Sequence, residues 1–425
     1  MDPHSQFCHN PACSARGVIG QGNIRIFSRR ERRYQCTTCD QTFTVTKDTP
    51  FYRLHKTAEL MVLVLTLLCH GCPVQAIVAA FGLDERTVAA WQTRSGHHCQ
   101  RVHEQVVQQE QVDVQHVQAD ELWVKMVGQR VWMAMALAVP SRLWLGGVIS
   151  AKRDLVLITA LVQMVRACAC SLAILVCGRL GQLCNGLPAG VPNPTRTGRR
   201  GSPRLVLEKG LPLGQVIKRH AKRRVMSVTR RVVRGTAESI RAVLIATGGG
   251  NDINTAYIER LNATFRASMV ALVRRGRALL HKEAGLTAGM YLVGCAYNFV
   301  WYHESLRAVA PAGASHKWQE RIPAMAAGLT DHRWTMFELF SYQVPLPPWV
   351  APKRRGRQAT VNLSLATFKP LVRRNELLCS ILVILHGSTS HRSHDRHSVS
   401  LLNSHSLLEY PRLNGVLGYG GELDV

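Results

Sequence analysis

The spacing of apolar residues changes twice along the chain, and each change marks a different kind of element. Between residues 57 and 103 apolar positions recur three or four apart, which predicts helices at 60–68 and 73–81. Gly82 and Leu83 make a tight turn, and Asp84 is placed to cap a third helix over 85–93. Residues 97–112 are polar, rich in Gln, and predict a linker helix. From residue 112 the period drops to two. Residues 112–126, 130–139 and 142–149 read as strands separated by Gly128-Gln129 and Pro140-Ser141. A helical stretch at 155–166 and a short apolar run at 172–177 follow. Alternation then stops, and residues 178–197 are rich in Gly and Pro. Helical spacing returns where Ile258, Leu261, Phe265 and Met269 share one face. It returns again in the apolar, aromatic stretch 285–303, read most simply as a helix backing the sheet. The prolines of 344–349 predict a linker.

Charge narrows the partner. The chain of 425 residues carries 53 Lys and Arg against 27 Asp and Glu, a formal charge of +26. Such an excess is the footprint of a polyanion, because each neutralised phosphate releases counterions. It is densest over 196–241, where fourteen Lys or Arg face only Glu208 and Glu238. Lys222, Arg223 and Arg224 are the central candidates there for contact with double-stranded DNA. The opening MDPHSQFCHN lacks a basic start and apolar core, and runs such as 60–68 are too short to span a bilayer. These features predict a cytoplasmic protein with no membrane partner. The 13 cysteines are odd in number and scattered, which argues for reduced thiols rather than a disulfide framework.

Four of them are patterned. Cys8 and Cys13, in CHNPAC, precede Cys36 and Cys39, in CTTC, by 22 residues that include Gly17, Gly20 and Gly22. Two knuckles that each deliver two thiolates fit tetrahedral Zn2+, which replaces a core that so short a segment lacks. Residues 33–35 and 42–45 alternate as the hairpin around the second knuckle, and Arg29, Arg30, Arg32 and Arg33 beside it are candidates to touch phosphate. Cys69 and Cys72 form another CxxC. Between helices they read as buried thiols, with a metal site or redox pair as the alternatives.

The helix, turn and helix of 73–93 fit a helix-turn-helix, with Arg86, Thr87, Gln92 and Arg94 as candidate DNA contacts on the second helix. A plain three-helix bundle has the same pattern. Farther on, INTAYIERLNATFR sets Glu259 and Arg266 seven residues apart on one edge of a helix, with Asn262 between them. Gly248 to Gly250 lead into that helix, and Asp252 or Asn254 can cap it.

This last run, together with the cysteine pairs and the helix-turn-helix pattern, resembles bacterial insertion-sequence transposases with an RNase H-like core. The branch it resembles most is the one typified by the first-numbered insertion sequence. The resemblance implies an α/β fold: an RNase H-like mixed sheet with flanking helices, preceded by a small zinc ribbon and an all-helical helix-turn-helix domain. It divides the chain into 1–48, 49–112, 113–309 with a basic insertion at about 178–241, and a tail from 310. It implies a DDE-type enzyme that binds element ends, cleaves with Mg2+ or Mn2+, and joins the freed 3′ hydroxyl to target DNA. Asp120, inside the first strand, would be the first metal carboxylate and Glu259 the last, with Arg266 steadying the phosphate. A homo-oligomer is compatible with this picture.

One part of the pattern is missing. The family's second acid is an Asp just past the fourth strand, where this chain reads Cys177-Gly178-Arg179, and no acid occurs between Asp154 and Glu208. A pair of compensating frame slips around 178–197 would explain the loss, as would a loop insertion. Impaired activity is therefore expected, and the alternative is a catalytically inactive DNA-binding remnant or regulator. Residues 353–358 are similar to a minor-groove AT-hook with Gln358 in place of proline, or to a nonspecific basic tail. The Ser- and His-rich end, with His391, His394 and His397, predicts disorder; an altered reading frame or a metal-binding tract would each account for it.

Overall fold

The computed structural model describes residues 1–177, 193–195, 204–206, 212–221, 224–273, 282–310 and 313–351, all within the unit Met1–Lys353. Most of the Gly- and Pro-rich segment, the AT-hook-like run and the His-rich end lie outside the described residues.

Three short antiparallel strands open the chain: β1 (Ile24–Ser28), β2 (Arg33–Cys36) and β3 (Thr42–Thr44). Ile24, Tyr34 and Phe43 pack with Cys8, Cys13 and Cys36 into a small core of their own. Gln343 Nε2 donates to the Val45 carbonyl at 2.9 Å, and Val344 is buried. The proline stretch predicted as a linker is thus packed at its start, because an apolar residue there has core to meet.

The helices follow as expected in kind. They are α1 (Ala58–Cys69), α2 (Val74–Phe81) and α3 (Glu85–His103). Gly82 ends α2 in the left-handed conformation at φ 59°, which glycine adopts without a Cβ clash. Asp84 then accepts from the Arg86 N–H at 2.8 Å and starts α3. Where the sequence predicts a helix ending at 93 and a separate linker helix from 97, α3 runs on to His103 and a π turn, Glu104–Gln108. Gly96, inside α3, is a point of close approach: a Cβ there would strike the Ala288 backbone.

The central sheet contains β4 (Val112–Met126), β5 (Gln129–Ala138) and β6 (Trp144–Ser150), then β7 (Ala169–Cys177) after helix α4 (Leu155–Cys168). A small pair, β8 (Asn193–Thr195) with β9 (Arg204–Val206), stands apart from it. The long hairpin β10 (Leu213–Ala221) and β11 (Arg224–Arg234) completes the sheet in the order β11-β10-β7-β4-β5-β6. β5 runs antiparallel to both of its neighbours, β4 and β6, while β7 runs parallel to β4 and β10 parallel to β7. The result is a mixed α/β fold with a mixed sheet. Helices α5 (Ala237–Ala246), α6 (Ala256–Ser268) and α7 (Glu283–Cys295) follow, and α7 ends in a π turn, Ala296–Val300.

One continuous core joins the three N-terminal helices to the sheet and to α6 and α7, with Val88, Trp91, Met133, Trp144, Phe265 and Phe299 among its buried members. Asn298 fastens that core: its Nδ2 donates to the Trp144 carbonyl at 2.8 Å, and its Oδ1 accepts from the Trp144 N–H at 2.9 Å. Both bonds are buried, where an unmade bond costs most. Among the described residues, no helix is long and apolar enough to cross a membrane.

Candidate carboxylate site and cysteine cluster

Alternation along β4 sets His116, Gln118 and Asp120 on one face, toward α5 and α6. His116 Nδ1 lies 3.2 Å from Thr247 Oγ1. Gln118 is fully buried, and its Oε1 accepts from the Tyr257 and Ile258 N–H groups at 3.0 and 3.1 Å. Those are orphan donors of the first turn of α6, so a strand side chain caps the helix. Asn254 adds a bond from Ala256 N at 3.2 Å, whereas Asp252 makes no cap. The Thr255 hydroxyl is turned to another use: it donates to Glu259 Oε1 at 2.6 Å.

This clamp sets the register between strand and helix. Asn262, 2% exposed, donates from Nδ2 to Asp120 Oδ2 at 3.0 Å, and its Oδ1 has no hydrogen-bond partner. Burial, then the charge of Glu121, and then that of Glu259 push the Asp120 carboxyl up to about 7, with the Glu121 N–H and Arg266 opposing. Asp120 therefore feels the charges of Glu259 and Arg266, up to 146 residues away in sequence. Glu121 occupies the opposite face, as strand geometry predicts. Arg153, immediately before α4, pairs with it, Nε to Oε1 at 2.7 Å.

A cation that the sequence did not single out completes the cluster. Lys218 of β10 places its Nζ 2.5 Å from Glu259 Oε1. Cys177, at the end of β7, sits beside Ala119 in the parallel register, one residue from Asp120. It is buried, and its Sγ donates to the Gly214 carbonyl at 3.6 Å. Among the described residues, the only group of three or more possible metal ligands is elsewhere, in the cysteine cluster.

That cluster brings the Sγ atoms of Cys8, Cys13, Cys36 and Cys39 within 4.8 Å of one another. Cys8 and Cys39 are 3.6 Å apart, and Cys13 and Cys36 3.9 Å. Four thiolates about 2.3 Å from one tetrahedral ion stand about 3.8 Å apart, so the set fits zinc. Burial raises the Cys8 and Cys13 thiols. For Cys36 burial is outweighed by the Thr38 and Cys39 N–H groups and the neighbouring thiols, which bring it down to about 7. His9 is not a fifth candidate. Its Nδ1 lies 2.6 Å from Asp48, and its ring packs on Phe7 and Phe43.

The predicted DNA contacts fall into two groups. On α3, Arg86 is exposed and Thr87 half-buried. Gln92 faces Gly289 of α7, and the Arg94 guanidinium is bound to the Tyr52 carbonyl. The open edge of that helix carries Arg86, Ala89, Ala90, Thr93 and His97. Spacing by three and four from Arg86 could have identified it. In the basic run, Arg224 is exposed at the start of β11, while Lys222 and Arg223 lie outside the described residues. No family model matches the chain, and no curated protein does either.

Proposed function

We propose that this chain is a transposase-type DNA-binding protein, in which Asp120 and Glu259 are the surviving carboxylates of a phosphodiester-cleaving site. The observation that carries the reading is the convergence of Asp120, Asn262, Glu259 and Arg266 between β4 and α6. Order and direction in the sheet support an RNase H-like core: three antiparallel strands, then two parallel additions beside the first. The α2, Gly82 and α3 arrangement supports a helix-turn-helix, and the cysteine cluster a zinc ribbon, both as parts that hold duplex DNA.

The donor set of the carboxylate site suits a hard divalent cation such as Mg2+ or Mn2+. When bound, such an ion would polarise the phosphodiester and the attacking oxygen. The chain's own contribution is positional. Asn262 orients Asp120, Thr255 orients Glu259, and Arg266 supplies positive charge for a phosphate.

A second reading is favoured by two observations together. Cys177 stands at the strand end where a further acid is wanted, and Lys218 occupies Glu259. On that reading the chain binds DNA without cutting it. The test is cleavage of a plasmid carrying the gene's own flanking DNA, with Mg2+ or Mn2+, against Glu259→Ala. Nicking at the element ends that this substitution abolishes supports the enzyme. Salt-sensitive binding with no nicking supports the inactive binder, and no duplex binding at all defeats both.

A further inference from the structure

The hairpin β10–β11 does not stay within the sheet. β10 pairs with β7 only through Leu213, Gly214 and Gln215. Beyond Gln215, among the described residues, the two strands pair only with each other, from Val216↔Arg230 to Ala221↔Arg224. At about 3.4 Å per residue this is a two-stranded ribbon about 20 Å long. Every residue from Arg224 to Arg231 is exposed, including Val225, Met226 and Val228 at 51%, 67% and 44%. Residues 213–234 contain eight Lys or Arg and no acid.

Free strand edges and exposed apolar side chains are an aggregation hazard unless charge or a partner covers them. The uniform positive charge opposes a second copy of the ribbon and favours a polyanion. The dimensions choose among polyanions, because a two-stranded ribbon fits the major groove of B-form DNA, about 12 Å wide. Alternation separates the two faces. Val216, Lys218, Val228 and Arg230 share one face, on which Val216 packs with Ile240, Leu244 and Ile253, Lys218 meets Glu259, and Arg230 Nε donates to the Ile253 carbonyl at 3.1 Å. The other face carries Arg219 opposite Ser227, and Thr229 and Arg231 farther back. Arg, Ser and Thr are side chains that hydrogen-bond base edges. The register shift between Arg219 and His220 leaves Met226 as an extra residue, a bulge that re-aims the tip.

We infer that the β10–β11 ribbon is a reading arm that lies in the major groove of duplex DNA, with Arg219, Ser227, Thr229 and Arg231 toward the base edges and its root fastened beside Glu259. This rests on the DNA-binding part of the proposed function and not on cleavage.

The experiment uses the full chain and two duplexes of about 30 base pairs with one sequence, one of them carrying glucosylated hydroxymethylcytosine, which fills the major groove. Wild type is expected to bind the modified duplex at least tenfold more weakly. Arg219→Gln/Arg231→Gln, at two exposed positions, is expected to lose most of that discrimination, whereas Arg86→Ala on α3 retains the ribbon's share. Equal weakening of the double variant on both duplexes would mean phosphate contact only and would overturn the inference. So would loss of binding to phosphatidylserine vesicles with duplex binding intact. Failure of wild type to bind either duplex would remove the DNA reading and the arm with it.

Discussion

The cysteine cluster and the carboxylate site are both built from residues of the kind that hold cations, yet they differ in what else holds those residues. Four thiols converge with one another, and the other groups recorded on Cys8 and Cys36 are N–H donors, which a thiolate can accept while it holds a metal. The two carboxylates converge with an asparagine, a threonine and a lysine, each already bonded to an oxygen that a metal would need. A site whose ligands carry no competing cation or amide clamp is shaped by its ion. One whose ligands are already satisfied has to give something up to take an ion.

The largest effect that would separate the two is loss of the zinc ligand set. Wild type is expected to carry one zinc per chain by atomic absorption, and Cys36→Ser to abolish that metal content and unfold the ribbon. Structural zinc contributes on the order of 10 kcal/mol to such small domains, while the core behind it consists of a few side chains. Protease sensitivity confined to the first 50 or so residues would follow. A metal-free wild type that resists protease would erase the contrast.

The next effect tests the frame on which the carboxylates sit. Gln118→Ala leaves the buried Ile258 N–H and the half-buried Tyr257 N–H without their acceptor, which costs about 2–4 kcal/mol in denaturant unfolding. Gln118→Glu should recover part of that loss, because a carboxylate at a helix N-terminus accepts the same bonds and is favoured by the dipole. If Gln118→Ala is as stable as wild type, the strand-to-helix clamp is not what positions Glu259.

The contrast also explains what could be read in advance. The cysteines were legible because their whole ligand set lies within 32 residues and follows a known knuckle spacing. Strands β4 to β6 were legible from alternation, and β7 from a short apolar run, to within a few residues at each end. Asp120 and Glu259 came from resemblance alone, since no local rule relates residues 139 apart. Lys218 was hidden inside a charge run, where any of fourteen cations looked alike. Gln118 looked like an ordinary polar strand residue, and its role appears only once α6 is set against β4. Gln92 and Arg94 sit on the half-buried edge of α3, where its continuation into the core brings them against α7 and the Tyr52 carbonyl, and residue spacing alone does not distinguish that edge from the open one.

A smaller effect concerns the Asp120 proton. Its carboxyl is pushed up to about 7 in the folded chain, against an ordinary value near 3.8. Between those pH values the folded state binds a proton that the unfolded state has released, so stability falls as pH rises from about 4 to 7 and is level above. In metal-free buffer, Asp120→Asn should therefore be more stable than wild type at pH 8, on the order of 2 kcal/mol, with the gap closing toward pH 4. Thermal melts of the pair across that range would read it. A gap that is constant with pH would mean that the carboxyl titrates normally and that burial does not shape the site.

The smallest effect bears most directly on whether the second site takes an ion at all. Lys218 and Glu259 are about one-third and two-fifths exposed, so their pair is worth no more than about 1 kcal/mol to the fold. Lys218→Met should leave the melting temperature nearly unchanged. An incoming Mn2+ must nevertheless displace that ammonium from Glu259 Oε1, and removing it spares the exchange. Manganese affinity, read by loss of the free-ion electron paramagnetic resonance signal, should rise by up to about fivefold in Lys218→Met, since 1 kcal/mol is a factor of about five. Asp120→Asn/Glu259→Gln sets the background. If Lys218→Met binds no better than that background, the carboxylates are held by their protein partners alone, and the asymmetry with the cysteine cluster is complete. If it binds as predicted, the two sites differ in degree: one is open to its ion, and the other is occupied by a cation of the chain's own.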